Sequence, residues 1–199
     1  MKGLIPILDA GHGGMIAGQY QTAGKRSPNW EKGIIYEGMA NRWVVNRTIE
    51  LLDNAKIPYL HASPEFTDIP LWQRVQRSND WHREQPNQVY LVSSHFNAGG
   101  GKGGEIFTSK GETKSDPIAT IFYKHMVDGL DDHVMRNDYS DGDPDKEASF
   151  KVLVDTNCPA VLIEWAFMDN KNDYNRIWDK SFIEQCAQVQ FCAIEELYR

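Results

Sequence analysis

Cysteine is scarce in this chain: Cys158, Cys186 and Cys192 are three among 199 residues. An odd number without CxxC spacing argues against a disulfide framework or a cysteine-rich zinc knuckle and suits synthesis in a reducing cytoplasm. All three read as buried thiols without a chemical role. Basic charge is also short, with 21 Lys and Arg against 28 Asp and Glu and a net charge of −7. Phosphate neutralisation needs clustered cations, so no nucleic-acid partner is expected. No apolar run approaches the roughly 18 residues that span a bilayer, and no membrane insertion is expected. The first apolar run starts at Leu4, which leaves no place for a charged segment followed by a removable apolar one. Internal repeats, linkers and low-complexity tails are missing too. With 41% hydrophobic residues the chain can bury one full core, and we read residues 1–199 as a single domain and a monomer.

What is present is an alternation of buried-strand runs and helical periods. Residues 4 to 9 form a candidate strand, and "EGMANRWVVNRTIELLDNAK" places Ala40, Val44, Thr48 and Leu51 on one helical face. "IPYLHA" reads as a strand, "IPLWQRVQRSNDWHRE" as a helix, "QVYLVSSHFNAGG" as a buried strand entering a glycine loop and "GGEIFTS" as a short strand. Residues 115 to 133 predict a helix with Ser115 as N-cap and Pro117 in its first turn. The acidic loop "NDYSDGDPDKEAS", the apolar run "PAVLIEWAF" and the amphipathic "KSFIEQCAQVQFCAIEELY" complete the chain. This order predicts an α/β fold, a mostly parallel central sheet with helices on both faces.

Three chemistry-bearing residues fall at or near the ends of predicted strands: His12 in "LIPILDAGHGG", His95 in "VSSHFNAGG" and Glu164 in "PAVLIEWAF". Ligands of an open parallel sheet bind beyond those ends. Glu37 starts the helix that follows the first strand, and right-handed crossover geometry brings that helix N-terminus to the same rim. Two imidazoles and one carboxylate are the ligand set of an open catalytic zinc site, whereas four protein ligands would describe a closed structural one. The glycines around His12 and in "HFNAGGGKGG" let the backbone bend and a bulky substrate approach.

Other readings of these residues are blander. A single strand-end His is commonly a hydrogen-bonded structural residue, and a Glu at a helix start a solvated dipole partner. "GHGG" lacks the Lys and Ser/Thr of a phosphate-binding loop and does not fit GxGxxG. His61, His82, His125 and His133 have no partner pattern, and "HMVDGLDDH" departs from HExxH spacing.

The ordered blocks "LDAGHGG", "IYEGMANR", "VSSHFNAGG" and "PAVLIEWAFMDNKND" resemble the zinc-dependent N-acetylmuramoyl-L-alanine amidases of the amidase 3 type, over Leu4 to Tyr198. The resemblance implies one zinc ion per chain on His12, Glu37 and His95, with Glu164 as the catalytic glutamate. Arg74 in "LWQRVQRSN" matches the family's Arg-containing helix and reads as structural. Two features depart from the family pattern. Twenty-four residues separate His12 from Glu37, including "GQYQTAGKRSPNW", and acidic "DGDPDKEAS" stands where a basic stretch is expected. That acidic loop is short and rich in Gly and Pro, so no helical autoinhibitory insertion is expected and the enzyme should be constitutively open.

The implied reaction is hydrolysis of the amide between N-acetylmuramic acid and L-alanine in peptidoglycan, the expected partner. Without an export segment, a phage-type endolysin is expected, made in the cytoplasm and acting on the wall in the periplasm after release. A mother-cell or wall-recycling enzyme is the alternative setting. A zinc peptidase or carboxypeptidase acting within the stem peptide is the enzymatic rival, and a catalytically silent wall-binding module the non-enzymatic one. The residues 18–33 insert, with Tyr20, Lys25, Arg26 and Trp30, reads as either a wall of the substrate groove or a flap packed on itself. Arg26, Tyr20, Trp30 and Asn97 are the candidate substrate-binding residues.

Overall fold

The computed structural model describes residues 3–199. In chain order its elements are β1 (Ile5–Ala10), β2 (Met15–Ile16), β3 (Gln19–Tyr20), α1 (Glu37–Ala55), β4 (Leu60–His61), α2 (Leu71–Glu84), β5 (Val89–Asn97) and β6 (Glu105–Thr108). There follow α3 (Asp116–Gly129), β7 (Lys146–Glu147), α4 (Lys151–Val154), β8 (Ala160–Phe167), α5 (Lys171–Ile177) and α6 (Lys180–Tyr198). Six strands form one sheet in the order β4-β1-β5-β8-β6-β7, and β2 and β3 pair separately as a hairpin. Within the six, only the β6–β8 pairing is antiparallel.

Both faces of this sheet are covered, which is why its central strands read as unbroken apolar runs. Successive side chains alternate between faces. Ile7, Val89, Leu91, Ala160 and Leu162 pack with Val75 of α2 and with Val152 and Leu153 of α4. Leu8, Tyr90, Val92, Val161 and Ile163 pack with Val44 of α1, Phe122 of α3 and Ile194 of α6. The chain is thus a single α/β domain with a mostly parallel sheet, as the alternating pattern predicts.

Several boundaries differ from the sequence reading for local reasons. "IPYLHA" shrinks to two strand residues because β4 is an edge strand that pairs only through Ile7↔Leu60 and Leu8↔His61. The helix expected over 115–133 stops at Gly129. Ser115 sits at its N-cap position, but its hydroxyl accepts from the Ala160 backbone N–H at 3.0 Å and so ties the helix start to β8 instead of capping it. The short α4 and α5 were below the length at which helical period is visible. On the face shown by α1, Leu52 is buried where Leu51 was expected.

Candidate metal centre and its cavity

The site lies at the carboxyl end of β1 and β5, where β1 gives way to a turn and α1 begins. Gly11 has to be glycine, because a β-carbon there would stand 2.1 Å from Cε1 of the His95 ring. Gly38 likewise lets α1 abut the turn, since its β-carbon would meet the Gly13 carbonyl oxygen at 1.9 Å. Between them His12 adopts φ +64°, a left-handed conformation that side chains other than glycine rarely take. Its carbonyl accepts from Arg42 at 2.8 Å and from Arg74 at 3.2 Å, and the Asn41 amide donates to the Gly11 carbonyl at 2.9 Å. Arg74 is itself buried and paired with the buried Asp9, which also accepts from Ser93. That accounts for Arg74 as a structural residue.

Three donor groups converge as a result. Oε1 of Glu37 lies 3.1 Å from Nε2 of His12 and 2.8 Å from Nδ1 of His95. The two imidazoles meet edge to face, 5.1 Å between centroids. One ligand atom from each residue lies within 4.8 Å of the others. Tetrahedral zinc with bonds of about 2.0–2.2 Å needs donor atoms about 3.3 Å apart, so both the spacing and the donor set suit zinc. Burial pushes the Glu37 carboxyl up, but hydrogen bonds from His12 and His95 outweigh it and hold the group at about 2. Burial pushes His95 down, and its hydrogen bond and charge attraction to Glu37 prevail, leaving it raised.

Glu164 is opposite. It is the register partner of His95 on one side and of Glu105 on the other. Its Oε2 is buried with no hydrogen-bond partner among the described residues. Desolvation pushes its carboxyl up to about 8; His95 pulls it down, and Glu37 and Glu105 push it further up. All four residues line a cavity of about 590 Å³. Ala23 to Arg26, Leu71, Phe150 and Lys151 also line it.

Of the candidate substrate residues, Arg26 and Asn97 line this cavity. Asn97 donates to Oε1 of Glu105 at 2.7 Å, and Glu105 is held in turn by Arg136 and Lys146, each at 2.7 Å. Tyr20 and Trp30 do not line it. Tyr20 packs at a tilt against Tyr36 with its hydroxyl accepting from the Gly38 N–H, and Trp30 packs edge-on against Tyr174. His61, His82, His125 and His133 lie outside the cluster; His125 meets Glu196 at 2.8 Å and His133 the Trp165 carbonyl at 2.8 Å. Sequence reasoning missed Leu71, Phe150 and Lys151, because exposed residues at helix starts carry no periodic signal. It also missed the anchors of the glycine loop: Asp169 accepts from the Gly99 and Gly100 N–H groups, and Asp173 from that of Gly103.

The Amidase_3 family model, described as N-acetylmuramoyl-L-alanine amidase, matches residues 7–196. The chain belongs to this family. Among curated relatives, N-acetylmuramoyl-L-alanine amidase CwlM of Bacillus licheniformis is 29% identical over 183 residues, 92% of this chain and 64% of the relative. The sporulation-specific N-acetylmuramoyl-L-alanine amidase of Bacillus subtilis (strain 168) is 27% identical over 132 residues, 65% of this chain and 46% of the relative. The chain therefore spans under two thirds of either relative. In fold it is similar to the N-acetylmuramoyl-L-alanine amidase of Clostridium difficile 630, with a TM-score of 0.76 at 21% identity over 98% of this chain and 97% of that one. The catalytic domain of CD27L endolysin targeting Clostridia difficile gives a TM-score of 0.66 at 18% identity over 98% and 99%. The family is zinc-dependent, which agrees with the donor set of His12, Glu37 and His95. None of the described helices is long and apolar enough to cross a membrane.

Proposed function

We propose that this domain is a zinc-dependent N-acetylmuramoyl-L-alanine amidase, which cleaves the amide joining the lactyl group of N-acetylmuramic acid to L-alanine in peptidoglycan, with one zinc ion per chain. The observation that carries the reading is the pairing of a His-Glu-His donor set with a carboxyl that bonds to none of them and shares their cavity. Zinc held by His12, Glu37 and His95 supplies a Lewis acid that acidifies water and polarises a carbonyl. Glu164 takes the proton of the attacking water as the water oxygen bonds to the amide carbon. The C–N bond then breaks as Glu164 passes that proton to the nitrogen of L-alanine. A carboxyl that shares the cavity with the ligands and is bonded to none of them is free to do both.

The lining is mixed in character. Lys25 and Arg26 offer cations to the carboxylates of the stem peptide, while Leu71 and Phe150 offer apolar surface. We assign substrate contact to Arg26 and to Asn97, whose orientation Glu105 fixes.

The lytic setting is the finer part of the proposal. Between α3 and α4 the described chain carries only the two-residue β7, with no helix that could plug the cavity. A short connection of this kind is compatible with the phage-type endolysin we propose, which acts on release.

Digestion of purified sacculi by the zinc-loaded protein, read by mass spectrometry, is the test. The expected product is an intact peptide beginning with L-alanine. Fragments cut within the stem would replace the proposal with a peptidase, and no release would replace it with a wall-binding module. Clearing of whole walls without an added activator is expected of a lysis enzyme, and dependence on one would overturn that setting.

A further inference from the structure

The geometry points to the insert between the first two metal ligands as the bracket that positions both of them, with the Tyr20 and Thr22 hydroxyls as its positioning groups. This rests on the assignment of His12 and Glu37 as ligands and deepens it.

The N-cap residue of α1 is Tyr36, whose side chain makes no cap hydrogen bond, so the first N–H groups of the helix need partners from elsewhere. The insert provides them. Glu37 donates its N–H to the Lys25 carbonyl at 3.0 Å, and Gly38 donates to the Tyr20 hydroxyl at 2.9 Å. Glu37 is the first residue of this helix, so these two bonds fix where its carboxylate starts from. The Tyr20 ring is held in turn against Tyr36, 4.7 Å between centroids.

The same insert reaches the other ligand. Thr22 Oγ1 accepts from the Gly13 N–H at 2.8 Å and donates to Asp68 Oδ2 at 2.7 Å. Gln21 donates its backbone N–H to the Gly14 carbonyl at 3.0 Å. A left-handed conformation at a residue such as His12 persists only where the surroundings impose it. Arg42 and Arg74 hold the carbonyl of His12, and Thr22 holds the peptide N–H that follows.

The bracket is itself anchored far from the cavity. Tyr174 of α5 accepts from the Lys32 N–H at 3.1 Å and donates to the Gly33 carbonyl at 2.8 Å, with Trp30 packed on its ring. Ser27 and Ile35 close the strap through two bonds of 2.8 and 2.9 Å. The aromatic residues of the insert thus brace ligands, which a sugar-stacking wall would not require.

The test measures zinc affinity of the full chain by competition with a chromogenic chelator, apart from catalysis. Tyr20→Phe keeps the ring against Tyr36 and removes the hydroxyl that accepts from Gly38. Thr22→Val removes both bonds of that hydroxyl, and Thr22→Ser restores them. Outer partners of metal ligands typically contribute about 10- to 100-fold in affinity, so both Tyr20→Phe and Thr22→Val should weaken zinc binding roughly tenfold or more, with Thr22→Ser close to the parent. At saturating zinc the KM on soluble peptidoglycan should stay unchanged. Parental zinc affinity in Tyr20→Phe and Thr22→Val overturns the proposal, and a raised KM with parental affinity would make Tyr20 and Thr22 part of the substrate groove that Arg26 lines. Because the readout is zinc, a chain that binds metal in this way yet cuts no amide would sink the proposed function and leave the bracket standing.

Discussion

The start of α1 and the middle of β8 each present a glutamate to one cavity, and the two behave in opposite ways. Glu37 gives one oxygen to two imidazoles and is held at about 2. Glu164 has an oxygen with no hydrogen-bond partner among the described residues and sits at about 8. Two other buried carboxyls of the sheet region, Asp9 and Asp145, divide in the same way. Asp9 is paired with Arg74 and lowered; Asp145 has Oδ1 unpartnered and is raised to about 7. Burial pushes all four up, and the number of donors facing each one decides where it ends. A donor-rich carboxylate is suited to hold a cation, a donor-poor one to carry a proton.

Removing each glutamate in turn should have unlike consequences. Glu37→Ala should lose zinc, and activity with it, because two imidazoles alone hold a cation poorly. Glu164→Gln should keep zinc while kcat falls by roughly 10² to 10⁴, the usual contribution of positioned proton transfer. Metal content measured beside rate separates them. Loss of zinc in Glu164→Gln with retention in Glu37→Ala would reverse the roles.

The placement of the two glutamates was partly legible in the sequence. Long apolar runs revealed β1, β5 and β8, and a 3.6-residue period revealed α1, α2 and α6, because both signals persist over many residues. That His12, Glu37, His95 and Glu164 line one cavity was legible because parallel topology gathers strand ends and helix starts at one rim, although Glu164 lies midway along β8 and not at its tip. Partnerships across the chain were not. Arg74 and Asp9 are 65 residues apart, and nothing near either names the other. Tyr20 and Trp30 in a Gly- and Pro-rich insert look like sugar-stacking aromatics until Gly38 and Tyr174 are seen beside them.

The Asp9–Arg74 pair extends the comparison from chemistry to stability. Arg74→Ala removes every guanidinium donor and leaves Asp9 buried without its counter-charge. Breaking a buried pair from one side typically costs about 3–5 kcal/mol, so urea unfolding should show a loss of that order. It should also loosen the His12 turn, since the Ala10 and His12 carbonyls lose a donor. A loss under about 1 kcal/mol, the range of exposed pairs, would show that the donors around Asp9 are redundant.

The smallest effect, and the one with a distinctive pH signature, concerns Asp145. Burial raises its carboxyl first, Asp143 beside it raises it further, and the hydrogen bond from Thr108 at 2.6 Å offsets only part of this. A folded-state value near 7 against an ordinary 3.8 means that folding favours the protonated form. The stability this contributes is therefore complete below about pH 4 and is lost as pH rises through about 7, the reverse of a salt-bridged carboxylate. Asp145→Asn keeps the shape and cannot ionise. Relative to the parent it should unfold at similar urea concentration near pH 4 and should gain about 1–2 kcal/mol by pH 8, Asp143 sharing the remainder of the strain. Parallel pH profiles for parent and variant would show that Asp145 finds a donor in solution, and would move it from the donor-poor group to the donor-rich one.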